Sequence, residues 1–286
     1  MHGPTAEGWT LMATIRQPAV AGQFYSADAD TLAADVDRYV ESAAVPTPAI
    51  AVVCPHAGLM YSGHVAGAVY ARVALPQTVI LLGPNHRGVG PPLSVYARGT
   101  WLVPGGALSV DEALAEIIVA RDPAAKADAT AHRYEHCLEV QLPFLRRFRP
   151  DVRIVPILLG HLPDQAYADL GRRLGDILRE AADREGPQQR PLLVASTDLT
   201  HYESDAVTRA KDRHAIDAIR NLDPEGLGAA VRAHRITMCG YGATVAMLHA
   251  ARALGAGGAS LVRYATSGDI TGDHDSVVGY AGLLIA

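Results

Sequence analysis

The chain has 286 residues, of which 49% are hydrophobic and 19% charged, with a formal net charge of −5. That balance is globular rather than disordered, and an acidic chain with no basic, aromatic-interleaved cluster makes nucleic acid an unexpected partner. No run reaches the about 18 apolar residues of a spanning helix, so no membrane is expected, and MHGPTAEGWTLMATIRQP lacks the form of a secretory signal. Cys54, Cys137 and Cys239 cannot all pair and none lies in a C-x-x-C, so the expected compartment is the reducing cytoplasm.

Residues 1–14 read as a flexible extension and 15–286 as one domain. In chain order, apolar periodicity predicts a helix over 28–42, a strand over 49–54, a helix over 64–72 and a strand over 78–82. The alternating piece SVYARGTWLVPGG, 94–106, predicts an edge hairpin, and helices follow over 110–119 and 138–147. A strand over 152–159 and a helix over 164–182 lead to the polar loop 182–191. The strand over 192–195, helices over 205–219, 224–233 and 240–254, and strands over 261–264 and 277–284 complete the chain. Short β-rich runs alternating with helices define an α/β fold: a single domain whose mostly parallel or mixed central sheet is covered by helices on both faces.

Ligands of open α/β sheets bind beyond the carboxyl ends of the strands. There, His56 follows the predicted strand 49–54 by two residues and His86 follows 78–82 by four. Asp198 and His201 follow 192–195 by three and six. Either His56 or His86 alone is equally well a turn residue satisfying local backbone; three imidazoles and a carboxylate at neighbouring strand ends call for a common explanation. Such groups ligate zinc, iron or copper. Asp198 either ligates directly or holds His201 in its tautomer, and a His/Asp pair also serves as a base without metal.

Cys239, in TMCGYG, stands just before a predicted helix, whose N-terminus favours a thiolate usable as a nucleophile or soft ligand; a small buried hydrophobe is the plainer reading. Packing accounts for Cys54 and Cys137. In YEHCLEVQLPF, His136 and Glu139 lie three apart on one predicted helix face, as a brace for the pocket, an acid/base couple or a surface pair without function. His132, His161, His214, His234, His249 and His274 read as surface or packing residues. SGDITGDHDS, 267–276, lines the pocket mouth, binds a cation or only shapes a turn. No P-loop, dinucleotide fingerprint, HExxH or GxSxG is present.

These segments together resemble the Memo family, also called AmmeMemoRadiSam system protein B. The resemblance runs through AVAGQFY, PHAGLMYSG, LLGPNHRG, EHCLEVQLPF, VPILLG, STDLTHY, MCGYG and SGDITGD…SVVGYAG. It implies a fold like that of class III extradiol ring-cleavage dioxygenases and a pocket in which two histidines and a cysteine bind iron or copper. Carried onto this chain, those ligands are His56, His86 and Cys239, with Asp198 and His201 lining the same pocket. The dioxygenases use two histidines and a glutamate, so a cysteine here shifts preference toward softer or more redox-active metals. The function so implied is an iron-dependent oxidoreductase of an unidentified small molecule, with His201, oriented by Asp198, moving protons. A zinc hydrolase and a module binding a small-molecule or peptide ligand are the competing readings. The resemblance also implies radical SAM and AMMECR-type protein partners.

Overall fold

Runs rich in valine, isoleucine and leucine form the central strands, because such side chains suit a pleated surface covered on both sides. The computed structural model describes residues 15–40 and 44–286. Strand β1 (Ile15–Arg16) leads to α1 (Ala29–Tyr39), β2 (Ala51–Cys54), α2 (Leu59–Tyr70) and β3 (Thr78–Pro84). Next come β4 (Leu93–Val95), β5 (Thr100–Val103), β6 (Gly106–Val110), α3 (Glu112–Arg121) and β7 (Lys126–Ala127). A 3-10 turn at Glu139–Gln141 opens α4 (Leu142–Phe148), followed by β8 (Arg153–Leu159), α5 (Asp164–Glu185) and β9 (Leu192–Ser196). The last third holds β10 (His201–Glu203), α6 (Asp205–Arg220), α7 (Pro224–His234), α8 (Tyr241–Ala253), β11 (Ala259–Thr266), α9 (Gly268–Thr271) and β12 (Val277–Ile285).

The sheet runs β1-β5-β6-β8-β3-β9-β2-β12-β10, with β11 also on β12, β4 on β8 and β7 on β4. Its centre, β8-β3-β9-β2, is parallel, with Leu82 beside Ile157 and Ala195, and Cys54 beside Ser196. Strand β12 then pairs antiparallel with β2, which makes the sheet mixed. Ile80, Leu81 and Leu82 are fully buried, each contributing about 1.5–3 kcal/mol. Helices flank both faces. Their close approach depends on small residues: a Cβ at Gly67 would come within 2.3 Å of the Tyr39 carbonyl oxygen, and one at Gly171 within 2.3 Å of that of Ala246.

Several boundaries move from their predicted places. Strand β3 continues to Pro84, so His86 stands two residues beyond it rather than four. Helix α2 starts at Leu59, directly behind the His56 turn. The hairpin is formed by β5 and β6, while β4 leaves it to pair with β8, and β1 covers the outer edge of β5. Helix α5 runs to Glu185 and a 3-10 turn occupies Pro187–Gln189, shortening the predicted loop. The proposed extension, 1–14, and the end of the helix predicted over 28–42 lie outside the described residues. Among the described residues, no helix is long and apolar enough to cross a membrane.

Candidate metal centre

Because β2, β9 and β3 are parallel neighbours, the segments leaving their carboxyl ends meet at one rim. His56 leaves β2, His86 leaves β3 and Asp198 leaves β9, while Cys239 arrives from the turn before α8. The ligating atoms of His56, His86 and Cys239 all lie within 4.8 Å of one another.

His56 is buried, and its tautomer follows from its neighbours. The Ser196 hydroxyl donates to the Cys137 carbonyl at 2.7 Å, so its oxygen must accept from His56 Nδ1 at 3.0 Å. The same oxygen accepts from Gln141 Nε2 at 2.9 Å, and that amide also donates to the Pro55 carbonyl. With the proton held on Nδ1, Nε2 carries a lone pair and faces Cys239 Sγ at 3.3 Å. Burial, aided by the adjacent His136 and His86, pushes the His56 pKa well down and keeps the ring neutral, the form that ligates metal.

His86 is fixed by Glu135. The carboxylate accepts from His86 Nδ1 at 2.8 Å and from the His86 backbone N–H at 2.7 Å. It also accepts from the backbone N–H groups of His136 (2.9 Å) and Cys137 (3.1 Å), and His136 Nδ1 lies 3.2 Å away. Burial alone would raise the Glu135 pKa; the ring N–H groups of His136 and His86 outweigh it and hold the carboxylate ionised. One buried charge thus sets the proton positions of two imidazoles and leaves their Nε2 atoms free, the arrangement by which carboxylates orient metal-binding histidines.

Cys239 is located by the end of β9. Its sulfur accepts the Asp198 N–H at 3.3 Å, and the next residue, Gly240, donates its N–H to Thr197 Oγ1 at 2.9 Å. A Cβ on Gly240 would fall 2.4 Å from Thr197 Cβ, so only glycine lets this turn close. The thiolate expected from the helix N-terminus is corrected: burial, reinforced by the Asp198 charge, pushes the thiol up to about 12. Without metal, Cys239 is a neutral thiol, which disfavours a role as nucleophile.

Asp198 and His201 share the cavity, but the expected orientation of one by the other is corrected. The Asp198 carboxylate accepts the His56 backbone N–H at 2.8 Å. His201 Nδ1 instead faces the carbonyls of Leu199 (2.7 Å) and Thr237 (3.0 Å), which puts its proton there and leaves Nε2 as an acceptor. Burial raises the Asp198 pKa against the opposing His56 N–H.

The pairing of His136 with Glu139 is likewise corrected. His136 lies in the pocket, stacked on His86 at 4.7 Å and tilted against Phe24 at 4.8 Å. Glu139 points elsewhere: fully buried, it pairs with Arg16 at 2.6 Å and accepts the Ala19 and Val20 N–H groups and the Tyr25 hydroxyl. Residues 134–138 are turns and irregular chain ahead of the helix, so a spacing of three does not place His136 and Glu139 on one face.

Around these groups lies a cavity of about 870 Å³, also walled by Phe24, Tyr61, Tyr202 and Tyr280. Ser267, Thr271, Asp273 and Ser276 line it as well, matching the pocket-mouth reading of SGDITGDHDS. Sequence reading missed Glu135, Ser196 and Gln141. Glu135 borders His136 in YEHC, but its other partner, His86, is 49 residues away, beyond any local signal.

The donor set fits a metal ion. Bond lengths of about 2.0–2.1 Å to nitrogen and 2.3 Å to sulfur place neighbouring ligand atoms roughly 3–4 Å apart, and His56 Nε2 lies 3.3 Å from Cys239 Sγ. Two imidazoles and a sulfur would suit zinc, copper or iron, and all three residues line the cavity.

The profile of the Memo-like protein family matches residues 16–284. A MEMO1 family protein of Methanosarcina mazei is 41% identical over 273 residues, covering 95% of this chain and 99% of that protein. One from Aquifex aeolicus is 40% identical over 274 residues, covering 94% and 98%. Another, from Methanothermobacter thermautotrophicus, is 39% identical over 281 residues, covering 94% and 99%.

Proposed function

The chain belongs to the Memo-like protein family, and from that premise we propose a metal-dependent oxidoreductase acting on a small molecule, with iron as the resident ion and copper next in order. The observation that carries this reading is the convergence of His56, His86 and Cys239 within ligand distance of one another at a cavity wall. Bound there, such an ion supplies Lewis acidity and one-electron exchange.

The protein's own groups divide the remaining work. His56 and His86 present neutral Nε2 donors, set by Ser196 and Glu135. His201, its Nδ1 proton committed to the Leu199 carbonyl, offers Nε2 to take a proton from a ligand in the cavity. Asp198, with its raised pKa, offers a second proton position at the same rim. Three free cysteines accord with a reducing cytoplasm, and radical SAM and AMMECR-type partners belong to the same reading.

Anaerobic purification followed by elemental analysis and electron paramagnetic resonance tests the proposal. Near-stoichiometric iron or copper, lost in H56A and C239A while the far-ultraviolet spectrum is kept, is the expected result. Wild-type protein that retains neither metal, with metal content unchanged by H56A or C239A, defeats it. Turnover supported by zinc without oxygen moves the assignment to a hydrolase.

A further inference from the structure

The candidate centre is also the wall of a second cavity. A space of about 420 Å³ opens between the ends of β3 and β8 and the start of α8. Among the described residues lining it, His86 and Cys239 alone also line the larger cavity. The two spaces therefore meet at two of the three proposed ligands.

Their chemistry differs. The larger cavity carries His136, His201 and Asp198, groups able to hold and protonate an organic ligand. The smaller is walled by apolar Pro84, Leu159, Val231 and Met238. Its buried and half-buried polar side chains are already engaged. Asn85 donates to the Val89 carbonyl at 2.8 Å and accepts the Gly88 N–H at 2.9 Å. The Tyr167 hydroxyl donates to the Gly160 carbonyl and accepts the Leu162 N–H, and the Tyr241 hydroxyl donates to Asp164. His161 is exposed. Side chains so committed give a polar organic molecule little to be oriented by, yet the space exceeds many times the about 30 Å³ of one water.

We propose that the smaller cavity is a second approach to the centre, through which a small uncharged molecule of dioxygen size arrives while the organic ligand occupies the larger cavity. This rests on the proposed metal-dependent reading. The division lets both reactants reach one ion without passing each other.

The approach is testable first in the metal-free protein. Cys54 and Cys137 are buried, which makes Cys239 the thiol open to a small reagent. Alkylation by iodoacetamide at one alkaline pH, chosen to supply thiolate and read by mass spectrometry, is compared in wild type, in T271W/S276W, which narrows the larger mouth, and in the same background with V231W, which fills the smaller cavity. Labelling in T271W/S276W at no less than a third of the wild-type rate, falling at least tenfold more when V231W is added, is the expected pattern. Loss of labelling in T271W/S276W alone, or no further effect of V231W, overturns the second approach. V231F replaces V231W if the larger side chain prevents folding. A second arm uses iron-loaded T271W/S276W, in which the larger mouth is narrowed: adding V231W slows nitric oxide association at least fivefold at unchanged iron content, and an unchanged rate counts against the proposal. Protein that retains no iron defeats the metal reading by itself, while the alkylation arm still decides whether the second route exists.

Discussion

Replacing Glu135 by glutamine keeps the shape of the side chain and removes its charge and one acceptor oxygen. In the wild type, Oε1 accepts the His86 ring N–H and the backbone N–H groups of His136 and Cys137, while Oε2 accepts the His86 backbone N–H at 2.7 Å. The amide oxygen of E135Q best stays with the crowded side, which turns the NH₂ group toward the His86 backbone N–H. Two donors then face each other in a buried place. Losing that charge-assisted bond costs about 1.5–3 kcal/mol. At about 2–4 °C per kcal/mol for a chain of this size, the melting temperature of the metal-free protein falls by roughly 3–12 °C.

A purely structural role would end there. The placement of Glu135 behind two imidazoles predicts a further effect, because a neutral amide oxygen holds the Nδ1 proton more weakly than a carboxylate does and strengthens Nε2 less as a donor. Loss of such a partner weakens metal binding by about 10–100-fold. Competition titration with a chromogenic chelator measures the affinity, and long-range nitrogen–proton NMR reads the tautomers of His86 and His136. Wild type should show both protons on Nδ1, and E135Q a mixture at His86. Lower thermal stability with unchanged affinity and unchanged tautomers refutes the assignment of Glu135 to the centre.

E139A leaves Arg16 buried without its partner and lowers stability by about 3–5 kcal/mol, measured by urea unfolding of metal-free protein. Burial lowers the His132 pKa from 6.5 to about 3, so the folded ring resists a proton that the unfolded chain accepts. Folding stability therefore drops as pH falls from about 6.5 toward 3, by up to about 1.4 kcal/mol per unit, and H132L shows a shallower acid slope in urea midpoints over that window. G240A pushes a methyl group against Thr197 and the Ser196 carbonyl, costing about 1–3 kcal/mol and displacing the adjacent Cys239. Its metal affinity should fall with its stability; unchanged affinity counts against a role for this turn in setting the sulfur.

The rim was legible because two general rules meet there: buried parallel strands read as short apolar runs, and ligands collect beyond their carboxyl ends. Those rules need only the strand ends, so placing His56, His86, Asp198 and His201 survived small errors in boundary. Cys239 was legible through its motif, but its protonation was not, since a sequence shows the helix that follows a thiol and hides the burial that dominates it. The carboxylates of YEHCLEVQLPF failed for a different reason. Reading a helix from 138 put His136 beside Glu139, although Pro143 in the first turn of α4 marks where that helix begins.

What separates the two glutamates is the N-terminal strand rather than their own spacing. Pairing of β1 with β5 brings Arg16 over Trp101, where its guanidinium pairs with Glu139 and also donates to the backbone carbonyls of His132 and Glu135. Glu139 is thereby neutralised by a fixed cation. Among the described residues, Glu135 receives no such partner on its side chain, and its charge is met by imidazole and backbone N–H groups instead. One arginine, more than a hundred residues away in the chain, thus leaves one of the two carboxylates available to the rim, and that pairing across the sheet is the step no local pattern could have supplied.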